Sequence, residues 1–103
     1  MNETNPVIMK RRGRPYAPRS TDEERADLRL MEDAVTAKFS QNLSLRRILI
    51  GTADRKILEC NPFDRYYSTG LRMTDGRLNK NRYPGLNHMG KILEYVREGI
   101  SHP

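Results

Sequence analysis

The chain has 103 residues with 19 Lys and Arg against 13 Asp and Glu, a formal charge of +6, and 36% hydrophobic residues. That length fits one domain able to hide roughly two-thirds of its unfolded surface. It excludes a large multidomain enzyme, and no apolar run approaches the roughly 18 residues of a membrane helix. The single cysteine, Cys60, excludes an internal disulfide, so a reducing, cytoplasmic setting is expected, with Cys60 as a small core residue. The charge is uneven: Lys10, Arg11, Arg12, Arg14 and Arg19 fall in a ten-residue stretch without an acid. A phosphate-bearing partner suits that stretch, whereas the remaining surface is nearly neutral.

In chain order, residues 1–19 carry Pro6, Pro15 and Pro18 and read as a basic extended segment, with a turn around 7–12, ahead of a folded body over 20–103. Ser20-Thr21-Asp22-Glu23 is a helix start, since Ser20 can accept the Glu23 amide and the acids suit the positive end of the dipole. Leu28, Met31, Val35 and Phe39 recur at helical spacing and predict a helix over 21–39. After a break at Gln41-Asn42, a short helix is expected from Leu43 to Ile50, closing on Gly51. Residues 56–60 form a strand candidate ended by Pro62. Residues 61–85 read as a long ordered loop, a length that usually serves function. Leu86, Met89, Ile92, Leu93 and Val96 predict a last helix over 86–98, stopped by Gly99. The expectation is an α+β fold, mostly helical: three helices, one or two short strands, and an ordered loop walling a pocket.

Three blocks of residues resemble the NADAR family (NAD- and ADP-ribose-associated domains). They are Asn5-Pro6 with Lys10, Gly13 and Arg14; Met31-Glu32-Asp33-Ala34-Val35 running into Ala37-Lys38-Phe39-Ser40-Gln41-Asn42; and Leu58 to Asp64 with Gly70-Leu71 and Gly85 to Arg97. The resemblance covers residues 5–98. It implies an N-glycosidase-type domain acting on ADP-ribose-linked or ribosylamino nucleotide compounds, with no cofactor. No metal is expected either, since there is one cysteine and no His/Cys/Asp spacing of the required kind. Such cleavage passes through an oxocarbenium-like state that a carboxylate must stabilise. The resemblance makes Asp64 the lead carboxylate and Glu59 the second. It makes Lys10, Arg14 and Lys38 phosphate contacts, Gln41 a contact to base or ribose, and Tyr67 a stacking ring. Asn87 and Gly90 then open the last helix as an anion or ribose site.

Each of these residues also has a plainer role. Asp64 can cap a turn, and Glu59 can alternate outward from its strand. Lys38 suits a helix C-terminus, Gln41 a helix-ending turn, and Gly90 close helix packing. His88 has no second ligand nearby in sequence. Family members carry an aromatic-rich N-terminal segment with a glutamate that has no counterpart here. The family's Asp-x-x-Trp-Gly stands as Asp64-Arg65-Tyr66-Tyr67-Ser68. These departures leave open a catalytically incomplete accessory protein, or one completed by self-association or a partner chain. Arg12-Gly13-Arg14-Pro15 also matches the core of an AT-hook, so nucleic-acid binding through residues 10–19 is a further alternative.

Overall fold

The computed structural model describes residues 5–101. Two strands and three helices follow one another as β1 (Val7–Lys10), α1 (Thr21–Gln41), α2 (Leu43–Gly51), β2 (Ile57–Cys60) and α3 (His88–Ser101). This is the α+β, mostly helical domain expected. No helix among the described residues is long and apolar enough to cross a membrane.

The helix boundaries have local causes. The Ser20 hydroxyl accepts the Glu23 amide at 3.1 Å, and Asp22, Glu23 and Glu24 occupy the positive end of α1. Replacing Ser20 by alanine is expected to cost about 1 kcal/mol, read as a lowered denaturation midpoint with an unchanged denaturant slope. Asn42 is extended (φ −127, ψ 103), so it ends α1; its side chain then accepts the Leu45 amide at 3.1 Å and starts α2. α1 therefore runs two residues beyond the expected Phe39.

The first correction concerns residues 7–12, expected to turn. Val7 to Lys10 instead form β1, parallel to β2 with Val7 opposite Ile57 and Lys10 opposite Cys60, and the Arg11 amide extends the ladder to the Cys60 carbonyl at 2.9 Å. Alternation gives the sheet two faces. Val7, Met9 and Ile57 pack with Val35, Leu49, Ile92, Leu93 and Val96 of the helices, whereas Ile8, Leu58 and Cys60 pack with Leu71, Leu78 and Tyr83 of the long loop.

The loop after β2 is held by backbone bonds. The Thr69 amide reaches the Glu59 carbonyl, and the Gly85 amide reaches the Thr69 carbonyl, both at 2.8 Å. Ser68 and Thr69 are fully buried. The second correction concerns the last helix, expected over 86–98. Asn87 sits at φ +53, outside helical geometry, so α3 starts at His88, and it continues through Gly99 to Ser101.

Candidate functional site

Asp64 follows the Pro62 turn and is 1% exposed. Its Oδ1 accepts the amides of Tyr66 and Tyr67 at 2.8 and 3.0 Å, fixing the turn that carries both tyrosines. Its Oδ2 lies 3.6 Å from Arg11 Nε. Both atoms are buried without a hydrogen-bond partner among the described residues. Buried polar atoms without a hydrogen bond are rare in folded proteins; these two face each other as an ion pair too long to be a hydrogen bond.

Glu59 faces inward. It alternates with Ile57 onto the helix side of the sheet and is 6% exposed. Burial pushes its carboxyl from 4.5 up to about 7, against the opposing pull of the Arg11 and Lys38 charges. A carboxyl titrating near 7 can give or take a proton at neutral pH, which ordinary glutamates cannot.

Arg11 joins these groups. Besides facing Asp64, its guanidinium lies 4.9 Å from the centroid of the Tyr67 ring. Tyr67 also meets Tyr66 edge-on at 4.9 Å and Tyr16 at 5.1 Å. The hydroxyls of this cluster are tied to α1: Tyr16 donates to Asp27, and Tyr66 donates to Glu24 at 3.0 Å. The hydrogen bond to Asp27 is the main cause that raises the Tyr16 phenol, whereas burial, then the bond to Glu24, raises Tyr66. His88 lies against Tyr66 at 4.6 Å, and burial lowers its pKa.

A cleft of about 500 Å³ opens beside the cluster, walled by Arg11, Arg14, Tyr16 and Tyr67 opposite Leu30 and Met31 of α1. Neither carboxyl lines it; Arg11, which does, reaches Asp64 directly.

Arg11 thus touches both Asp64 and Tyr67, while Glu59 is joined to them only through the charges of Arg11 and Lys38, and Arg14 lies on the cleft rim. The structure sets Asn87 and Gly90 apart. The Asn87 side chain, fully buried, accepts the Glu59 amide at 3.0 Å and donates to the Ile57 carbonyl at 2.9 Å, replacing ladder bonds on β2. Gly90 packs so closely that a Cβ would lie 2.1 Å from the Ile57 oxygen. The amides of Asn87, His88 and Met89 are already taken by the carbonyls of Ser68, Tyr66 and Tyr67. The anion site expected at the start of α3 is therefore filled by the protein's own loop. Gln41 is exposed at the end of α1 and outside the cleft. Lys10 lines a different cavity. The stretch resembling an AT-hook is not a free arm: Arg11 turns inward, and the Gly13 carbonyl accepts from Asn61 Nδ2 at 3.3 Å.

Sequence reasoning passed over Arg11, Tyr16 and Asp27. Arg11 stood among five basic residues with nothing to single it out. Period-two alternation from Met9 and Val7 would have turned it to the face of Ile57 and Glu59, had residues 7–10 been read as a strand.

Buried carboxyls, an arginine and a tyrosine cluster lie together at one end of a small, mostly helical α+β domain. The chain belongs to the NADAR domain family, which it matches over residues 1–101. It is 36% identical to Protein irg-1 of Caenorhabditis elegans over 97% of this chain and 49% of that protein. It is 33% identical to an N-glycosidase of Acanthamoeba polyphaga mimivirus, over 85% of this chain and 51% of that protein. Against the N-glycosidase YbiA of Escherichia coli it is 30% identical, over 95% of this chain and 56% of that protein. The chain spans about half the length of these curated relatives. No solved structure matches it.

Proposed function

We propose that this domain handles the N-glycosidic bond between a ribose C1′ and a nitrogen, in ADP-ribose-linked or ribosylamino nucleotide compounds. The observation that carries the reading is the convergence of two buried carboxyls, Glu59 and Asp64, on Arg11 at the wall of a cleft that Tyr67 also lines. Two relatives named N-glycosidases support it.

Hydrolysis needs a base to take a proton from the attacking water and a donor to protonate the departing nitrogen. Glu59 suits the proton transfers because burial holds it near neutrality. Asp64 supplies negative charge close to the developing oxocarbenium ion. Asp64 Oδ2, which accepts no hydrogen bond among the described residues, would take one from a substrate hydroxyl. Arg14, at the rim, and Lys38 supply positive charge for the phosphates. Arg11 must rotate aside for the sugar to reach the carboxyls.

A second reading, recognition without cleavage, is favoured by the commitment of Asp64 Oδ1 to two backbone amides and of Oδ2 to Arg11. The two readings separate when wild type and Asp64→Asn are incubated with ADP-ribosylated nucleotides and free ADP-ribose is measured. Release by wild type and its loss in Asp64→Asn is the expected result. Binding without release by either protein leaves recognition alone.

A further inference from the structure

Helix α1 gives one face to the core and another to solvent. At about 3.6 residues per turn, Leu28, Met31, Val35 and Phe39 recur on the side that packs inward. Ala26, Leu30, Asp33 and Ala37 recur on the opposite side, and all four are exposed. Leu30 keeps 65% of its surface uncovered. A single exposed leucine is ordinary on a folded protein. What sets this one apart is the arrangement around it.

Ala26, Ala34 and Ala37 carry no side chain beyond a methyl group, so a second helix can approach this face closely. Leu30 stands between two hollows. One is the cleft of about 500 Å³ already described; the other, of about 520 Å³, is lined by Arg25, Ala26, Arg29, Leu30 and Asp33. The flank of α1 toward the cleft carries Leu30, Met31 and Ala34, whereas the other flank carries the charges.

Those charges follow an order. Arg25 and Arg29 precede Leu30, and Glu32 and Asp33 follow it. Arg25, Arg29 and Asp33 are exposed, and among the described residues none of their side chains enters an ion pair. The order is self-complementary. In an antiparallel crossing with its two-fold axis level with residue 31, Arg29 of each copy meets Glu32 and Asp33 of the other. The two Leu30 side chains then meet on the flank beside the cleft. A parallel crossing sets Arg29 against Arg29 and Asp33 against Asp33, where like charges repel. A closed two-fold pair requires this reciprocity, the same patch serving on both copies.

We infer that this face of α1 is a two-fold interface between two copies of the chain, with Leu30 against Leu30 and Arg29 against Glu32 and Asp33. The second copy's Leu30 then extends the helical wall of the cleft. One helix face is narrow beside a standard interface of roughly 800 Å² per partner, so the dimer should be weak, with a dissociation constant on the order of 10 μM.

The test is sedimentation velocity from about 1 to about 500 μM on wild type, Arg29→Asp, Asp33→Arg and Leu30→Ser. All three positions are exposed, so each variant should keep the wild-type circular dichroism spectrum. Wild type should pass from monomer to dimer across that range, and added salt should weaken the dimer. Each charge reversal should raise the dissociation constant by about tenfold or more, because it sets like charges together twice. Leu30→Ser should weaken association about tenfold at low and high salt alike. An equimolar mixture of Arg29→Asp and Asp33→Arg should regain dimers, since each variant supplies the charge the other lacks. Hydrogen exchange should slow with rising concentration over residues 26–37 and not over α2 or α3. A wild type that stays monomeric throughout overturns the interface and leaves this face to a different protein. So does a dimer that both reversals leave intact, or a mixture that stays monomeric. A dimer whose protection falls on α2 or α3 overturns it too, since its copies meet through another surface.

Discussion

Replacing Glu59 by glutamine should lower turnover of an N-ribosyl substrate by 10²- to 10⁴-fold, roughly the range of a lost general acid–base group, while making the protein more stable at alkaline pH. The second half follows from linkage. Burial raises the native carboxyl from 4.5 to about 7, so the native state binds more protons than the unfolded state between those values. Stability must therefore fall as pH rises through that window, and the loss is complete above about pH 7. Glutamine has the same shape and never ionises. At pH 8 Glu59→Gln should exceed wild type by up to about 3 kcal/mol; at pH 4, where both side chains are neutral, the difference should vanish. Denaturant melts at the two pH values measure this, beside the turnover assay. A variant with wild-type turnover removes Glu59 from the chemistry. A stability difference that does not change with pH shows instead that the carboxyl is solvated.

The largest effect on folding is expected at Gly90. An alanine there would set its Cβ 2.1 Å from the Ile57 carbonyl oxygen and 2.5 Å from Asn87 Nδ2. Both neighbours are fixed, one by the sheet and one by the hydrogen bonds that Asn87 makes to β2. Relief therefore requires α3 to move off the sheet. A loss of at least about 3 kcal/mol is expected, in the class of overpacking combined with a broken buried polar network, which lowers the melting temperature by roughly 12 °C or more in a domain this size. Gly99→Ala is the internal control. Nothing lies within 4 Å of its added Cβ, and an alanine in the last turn of α3 should be neutral or stabilise by up to about 0.5 kcal/mol. Wild-type melting in Gly90→Ala together with lost ligand affinity would return Gly90 to the binding site and undo its scaffold role.

These two positions mark how far the residue pattern could be read. Glu59 was visible as a carboxylate on a short strand, but whether it faced solvent or core was open. A strand residue's face depends on what covers each side of the sheet, and the helix side here is built from α1, α2 and α3. The resemblance placed Gly90 and Asn87 at an anion site because they open a helix. The amides at that helix start are consumed by the carbonyls of residues 66–68, which no local rule announces.

What the sequence determined alone was local or compositional. The start of α1 at its Ser20 cap, the break at Asn42 and the membership in the NADAR family follow from short-range hydrogen bonding and ordered motifs. Residues within four positions of each other settle the two helix boundaries, and the order of three separated motifs settles the family. Only the tertiary structure decided that Val7 to Lys10 are a strand, because their partner lies fifty residues away and four residues carry too little periodicity to announce it. From that pairing came the inward turn of Arg11 and its contact with Asp64 and Tyr67.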